Sequence, residues 1–435
     1  MLRRDYYDEN GKPTRSKDHY ARVTRTYDAR GNGVQEIYFD EEGKPCFNEN
    51  GIAGAVFRYD EYDNTVEQAN FDEAGKPALS REDVAKMAST YDTRGNMVEQ
   101  AYFDEAGKPT RSKGGYAKVT KTYDVRGQLV EEAYFDEAGR PTAFSGYTKI
   151  MVVYDTRGNQ IENRYFDEEF KPTRSEDGYA RLTQAFDDRD NVTEQAFFDE
   201  TGKPTLSKEG YAKVTKAYDV RGNVVEAAYF DEAGKPIRSK DGYAMQKKAY
   251  DARGNAVEGA YYDEAGHPIP DTDGVSAWTA AYDARGNVIK ANAFDETGKP
   301  TRLKNGYATI TKAYDARGNC IKEAYYDEAG HPIRSKDGYA TRKMAYDARG
   351  NRIGDAYYDE AGHPIRSKDG YVNKTRTYDA RGNKVAEAYF DENGNPARSK
   401  EGYARVTKAY DVRGNVVEET YFDEKGNHIS IKSSK

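Results

Sequence analysis

Four kinds of side chain in this sequence could do chemistry, and each recurs at a fixed spacing. Acidic pairs such as Asp231 and Glu232 return once per 32 residues, as paired catalytic carboxylates or calcium ligands would have to be offered. His267, His331 and His363 share one position between a glycine and a proline. Arg221 and its counterparts form a regular series of cations, and 38 tyrosines supply rings that could stack on a sugar or a choline group between neighbouring repeats.

Each feature also has a plainer reading. An active site breaks repeat symmetry, and no nucleophile, base and orienting group stand out from the repeating background. Turn capping accounts for the aspartates and solvation for the glutamates, and the loops lack the alternating oxygen ligands of a calcium loop. Stacked repeats would hold His331 and His363 roughly 10 Å apart, too far to share a metal, and other units carry Lys there. The arginines are offset by neighbouring acids. We therefore expect no enzyme, no catalytic or metal-binding residue and no cofactor. Rings such as Tyr218, Tyr229 and Phe230 read as core, because a repeat with few aliphatic residues needs them to bury area. The candidates for exposed ligand platforms are Tyr116, Tyr179, Tyr211, Tyr243, Tyr307, Tyr339, Tyr371 and Tyr403, at the junction between a loop and a strand.

The element that carries these residues is the stretch Tyr211 to Gly242, repeated with small edits. Its first turns begin at Tyr27 and recur every 32 residues to Tyr410, except for a step of 31 from Tyr123 to Tyr154. The deletion falls in Thr142 to Tyr147, a loop. Residues 1–13 form a partial N-terminal repeat, 14–423 one tandem array, and 424–435 a C-terminal end or partial cap. Within a unit, Tyr211 to Asp219 and Asn223 to Asp231 are rich in β-branched and aromatic residues and bounded by turn residues, which predicts two strands. The fifth place of the first turn, Gly222 in this unit, is Gly in 11 of 13 copies and Asp63 or Asp190 in the others. Both residue types tolerate positive φ, which predicts a left-handed position in a hairpin closed by a bulge.

The second turn has Gly (here Gly234) in 13 of 14 copies and Pro (here Pro236) in 13 of 14. A proline donates no hydrogen bond, so the chain is expected to leave the sheet there and make the segment after it a connector. Phe170 replaces the turn glycine in one unit and predicts a locally different turn. Ser80 to Asp92 reads as a strand entered through one helical turn.

Composition bounds the partners. Hydrophobic residues are 37% and charged residues 33%, yet aromatics reach 13%, more than a disordered chain carries. A net charge of −8 with interspersed signs and no basic run argues against nucleic acid, and no apolar stretch approaches the ~18 residues that span a bilayer, so no membrane insertion is expected. Cys46 and Cys320 are too far apart in sequence to suggest a disulfide framework. There is no secretory signal at Met1 and no sorting tail after Lys425, although an extracellular or cell-surface location suits such a repeat.

The fold class expected is all-β, an elongated array of about thirteen 32-residue β-hairpin repeats forming a solenoid or superhelical sheet, because about 26 strands exceed what a flat open sheet holds. The motifs YDARGN and YFDEAGKP resemble the tyrosine-aspartate repeats of the RHS/YD family, and the likeness runs along nearly the whole chain. That resemblance implies long β-sheets spiralling into a shell. The unit here is longer and carries a proline-bearing second turn. The leading expectation is a non-enzymatic scaffold, a segment of a bacterial surface or secreted protein giving multivalent attachment to a glycan, a cell wall or a protein. The alternatives are the enclosing shell of an RHS-like toxin delivery protein, and a filament subunit that self-associates end to end through unpaired edges.

Overall fold

The repeat unit is built from one turn used three times, seen well in Thr341 to Val372. In the computed structural model, which describes residues 2–8, 11–411 and 414–430, Asp347 opens the first turn: its N–H donates to the Asn351 carbonyl (2.9 Å), and the Gly350 N–H donates back to the Asp347 carbonyl (3.1 Å). The second turn repeats this with Asp359, His363 and Gly362, at 2.8 and 3.2 Å. The third uses Ser367, Tyr371 and Gly370, at 2.9 and 3.0 Å. The fourth residue of each turn is left-handed, with φ of 87°, 84° and 93° in turn order. The first residue accepts from the loop amides: Asp347 Oδ1 from Arg349 and Asn351, Asp359 Oδ1 from Ala361 and His363, and Ser367 Oγ from Asp369. A short oxygen-bearing side chain at the start and a residue tolerant of positive φ near the end suit each of these turns.

These turns connect twenty-eight strands, from β1 (Leu2–Asp5) to β28 (His428–Ile429), and the described residues contain no helix. The chain divides into two units, Met1–Val214 with Asp231–Gly234, and Thr215–Phe230 with Lys235–Lys435. Within each, the described strands pair antiparallel with their neighbours in sequence and touch no other strand. In the second unit, β22 (Thr341–Tyr346) pairs with β23 (Arg352–Tyr358) from Thr341↔Tyr358 to Met344↔Asp355, and the register shifts by a bulge before Tyr346↔Arg352. The hairpin expected from the first turn, left-handed at its fifth place and closed by a bulge, is therefore present, and Gly222, Asp63 and Asp190 all have positive φ. The fold is the predicted all-β array of hairpins.

Three expectations need correction. The segment after the proline is not a plain connector. Pro364 bridges back to Tyr358, the Ile365 N–H donates to the Tyr357 carbonyl (3.0 Å), and the chain then makes the third turn. Proline is tolerated because the donor of this short pairing is the residue that follows it. Ser80 opens the same third turn, accepting from the Asp83 N–H at 2.9 Å with Asp83 at φ 59°, so no helical turn forms there. Phe170, at φ 60°, keeps the standard second turn, its N–H 3.0 Å from the Asp167 carbonyl. Its ring is largely exposed and sits 5.3 Å from Lys149 Nζ, so backbone strain is the main cost of the substitution.

The one-residue deletion lies in a third turn, which shrinks to a two-residue hairpin: Phe144 and Tyr147 exchange backbone bonds (2.7 and 3.2 Å) around Ser145 (φ 52°) and Gly146 (φ 87°). At the C-terminal end, the Asp423 turn is intact and β28 pairs with Tyr421 and Phe422, so the repeat pattern continues through Ile429. Met1, Glu9 and Asn10 of the partial first repeat, and residues 431–435 of the expected cap, lie outside the described residues. Relief of strain at the one bulky second-turn residue gives a direct test: Phe170→Gly is expected to raise stability by about 0.5–1 kcal/mol, read as a higher urea midpoint with an unchanged slope.

Candidate functional site

Five of the eight junction tyrosines are buried: Tyr179, Tyr243, Tyr339, Tyr371 and Tyr403 are 8%, 7%, 5%, 3% and 8% exposed, and Tyr116, Tyr211 and Tyr307 are half-buried. The five buried ones are not the exposed rings expected at this junction. The third turn continues the sheet instead of leaving it, so its closing tyrosine is laid between the strand tyrosines of successive hairpins. In the second unit, centroid distances along Tyr307, Tyr325, Tyr339, Tyr357, Tyr371, Tyr389, Tyr403 and Tyr421 run from 4.7 to 5.9 Å, with rings tilted by 40–61°. The first unit has the same row from Tyr102 through Tyr116, Tyr134, Tyr147, Tyr165, Tyr179 and Phe197 to Tyr211. Tilted, closely spaced rings of this kind are core packing. Burial raises the phenols of Tyr325, Tyr339 and Tyr371 above their ordinary value.

The Tyr of the first turn points elsewhere. Its hydroxyl donates to a carbonyl at the start of the second strand of the preceding repeat, as from Tyr282 to Ala256 (2.9 Å) and Tyr314 to Val288 (3.1 Å). The first-turn arginine reaches the other way: Arg94, Arg126 and Arg157 donate to the Asp124, Thr156 and Asp187 carbonyls, at 2.5, 2.6 and 2.7 Å. The row of like charges is thus spent on the next turn's carbonyls. Third turns are joined by backbone, as from the Lys400 N–H to the Asp369 carbonyl (2.8 Å). Second turns are joined by ion pairs such as Arg302 Nε to Glu328 (2.9 Å) and Arg334 Nε to Glu360 (2.9 Å). Nearly half-exposed on both sides, each such pair contributes at most a few tenths of a kcal/mol, and the set acts mainly to fix register.

The remaining candidates resolve simply. Asp231 Oδ1 accepts from the Ala233 N–H (2.9 Å), the capping role expected of it. His267, His331 and His363 are exposed, each 3.5–3.7 Å from the aspartate that opens its own turn. Among the described residues, no group of three or more His, Cys, Asp or Glu could hold a metal ion. Cys46 is buried, which pushes its thiol up to about 11, and it behaves as a small apolar residue. Sequence reading missed the third turn and the Arg–Glu ladder. The third turn did leave a signal: outside the shortened turn its fourth place is Gly, Asp83 or His19, and its first place is Ser, Asn48, Asp271 or, once, Leu303, nearly the substitution pattern that identified the first turn.

No family model matches the chain, and no curated protein matches it. Several solved structures align along it. The crystal structure of TcdB2-TccC3 covers 98% of this chain and 28% of its own, at 12% identity and a TM-score of 0.33. A Tc holotoxin pore of Photorhabdus luminescens covers 93% and 23%, at 12% identity and a TM-score of 0.23. The chain therefore spans less than a third of the length of these toxin-complex chains.

Two outcomes distinguish a packed, capped array from one that carries exposed platforms. Tyr371→Ala is expected to cost about 3 kcal/mol in urea unfolding, where an exposed ring would cost under about 0.5 kcal/mol. Two turn aspartates of the second unit are held below their ordinary value, Asp347 by the Asn351 side-chain amide and then its N–H, Asp359 by the His363 N–H. Asp5, bonded by Arg3 and Arg22, is lowered to about 2. Depressed carboxyls stabilise the fold above their unfolded value of about 4 and lose that contribution as pH falls through the folded value. The urea midpoint followed by circular dichroism should be level from pH 7 to about 5 and then decline from about 4 toward 2.

Proposed function

We propose that the chain is a non-enzymatic structural array, a length of sheet wall of the kind that its resemblance to RHS/YD repeats implies, and that its repeated motifs serve construction more than ligand attachment. One observation carries this reading. The side chains that could have bound a polymer, namely the tyrosines, the turn aspartates and the turn arginines, are engaged in ring packing, loop amides and the carbonyls of the next repeat. A glycan would have to displace those bonds to use the same groups. The absence of any departure from repeat symmetry at a nucleophile or base supports the non-enzymatic part.

The wall and attachment readings make opposite predictions for the purified chain. Pull-down on insoluble peptidoglycan, cellulose and chitin should leave it in the supernatant, and negative-stain electron microscopy should show walls one sheet thick, about 10 Å. Saturable retention on any of these polymers would favour attachment, and compact globular particles would exclude the wall.

A further inference from the structure

On the tyrosine face of the second unit, two adjacent repeats carry cations where their neighbours carry apolar residues. Asp355 on β23 and Glu387 on β25 (Lys384–Phe390) fill a position that is also acidic in Glu36, Glu132, Glu323 and Glu419 and small in Ala227, Gly259 and Ala291; it is the cations around them that depart from the repeat. Positions that are Ile310 or Val406 in flanking repeats are Arg342 and Lys374, and the position of Val288 is Arg352 and then Lys384. The Asp355 side chain has no exposed surface and takes bonds from three guanidinium groups: Arg342 (3.0 Å), Arg376 (2.8 Å) and Arg352. Glu387, 9% exposed, pairs with Lys384 (2.8 Å), Arg376 (3.1 Å) and Lys374 (3.8 Å), and accepts the Tyr389 hydroxyl.

The charges in this cluster do not balance. Arg342, Arg352, Lys374, Arg376 and Lys384 stand against Asp355 and Glu387 alone. Glu323 also acts on Arg342, but its carboxylate is 3.2 Å from Lys312, which it neutralises. The Arg352 Nε is buried with no hydrogen-bond partner. Burial, and then the charges of Arg342 and Arg376, make Arg352 harder to keep ionised; burial does the same to Lys374, where Glu387 favours the charged form and Arg376, Lys384 and Arg342 oppose it. Tyrosine rings under Arg342 (5.7 Å from Tyr357) and Lys374 (5.4 Å from Tyr371) hold two of these cations in place without neutralising them. A group of partly buried cations in excess of its carboxylates is stabilised by an anion.

We propose that this face is an oxyanion site that takes a phosphate or carboxylate group of a small ligand against Arg352 and Lys384. Those two side chains, 28% and 36% exposed, are the members of the cluster most open to solvent. A guanidinium and an ammonium one repeat apart offer a planar donor pair and a point charge, a combination suited to tetrahedral or planar oxyanions. The site is independent of whether the array is a wall or an attachment module.

The test is calorimetric titration of the full chain at pH 7 with inorganic phosphate and, separately, with citrate, at ionic strength fixed with sodium chloride. One saturable site is expected, and Arg352→Gln should weaken it at least about tenfold, the loss of one charge-assisted hydrogen bond. Arg94→Gln, in a first turn of the other unit, should leave it unchanged. Arg352→Gln leaves Asp355 with Arg342 and Arg376, and its fold is checked by circular dichroism; Lys384→Gln carries the same expectation should that variant unfold. Saturation by phosphate, citrate or both supports the site and assigns its oxyanion. Absence of saturable heat with either, or equal affinity in the variants, overturns it.

Discussion

Within each unit a described strand touches only the strands next to it in sequence, and the rest of the structure follows from that constraint. Among the described residues of a unit there is no helix or non-neighbouring strand to bury a face against, so each hairpin must find its buried area along the array. The tyrosine rows do this. Each ring packs on one from the hairpin before and one from the hairpin after, and the fully buried side chains beside them are small, such as Val23, Val214 and Val372. Stability in such an array is a sum of repeat and neighbour terms, so the ties between repeats matter as much as the bonds within one.

Those ties explain why the polar residues recur as faithfully as the rings. Each of the three turns in a repeat has its own link to the next repeat: an arginine to a carbonyl at the first, an arginine–glutamate pair at the second, a backbone bond at the third. A tyrosine hydroxyl adds a fourth link, back to the strand behind. The links need the turns held in fixed geometry, and the capping aspartates and serines hold them. The same logic accounts for what is tolerated. Asp63, Asp83, Asp190, His19 and Phe170 all occupy left-handed positions, because the turn's backbone bonds and its links to neighbouring repeats impose the conformation on whatever residue is there. Even the shortened turn at Phe144 to Tyr147 finds a two-residue solution that leaves the strands on either side in register.

The strands, their hairpin pairing and the left-handed first turn were legible in the sequence because substitution among repeats shows what a position requires: Gly alternating with Asp identifies a backbone demand. The same evidence was present in the third turn and was obscured by its proline and its charged residues, which look like loop composition. Burial of the junction tyrosines was not legible. Whether a ring at a loop–strand boundary faces solvent depends on where the following turn directs the chain, and that is set by the bond from the residue after proline to the preceding strand, a contact with no composition of its own. Phe170 misled for a related reason. The intrinsic cost of positive φ for a bulky residue is real, but it amounts to about 1–2 kcal/mol and is smaller than the cost of unmaking a turn tied to its neighbours.

The charged cluster at Asp355 and Glu387 bears on what the fold itself demands. The corresponding position is glycine in Gly259 and alanine in Ala291, and those hairpins have the same register as the one that carries Asp355. An ion pair taken out of water returns little more than its desolvation cost, and apolar residues of similar size often serve as well. The sheet therefore does not need Asp355, and still less three arginines around it. The acid recurs in Glu323 and Glu419 on either side, but Arg342, Lys374, Arg352 and Lys384 stand where flanking repeats carry apolar residues such as Ile310, Val406, Val288 and Val416, so a concentration of partly buried cations in two adjacent repeats is not a requirement of construction. Its chemistry is directed outward, toward something that the strands themselves do not supply.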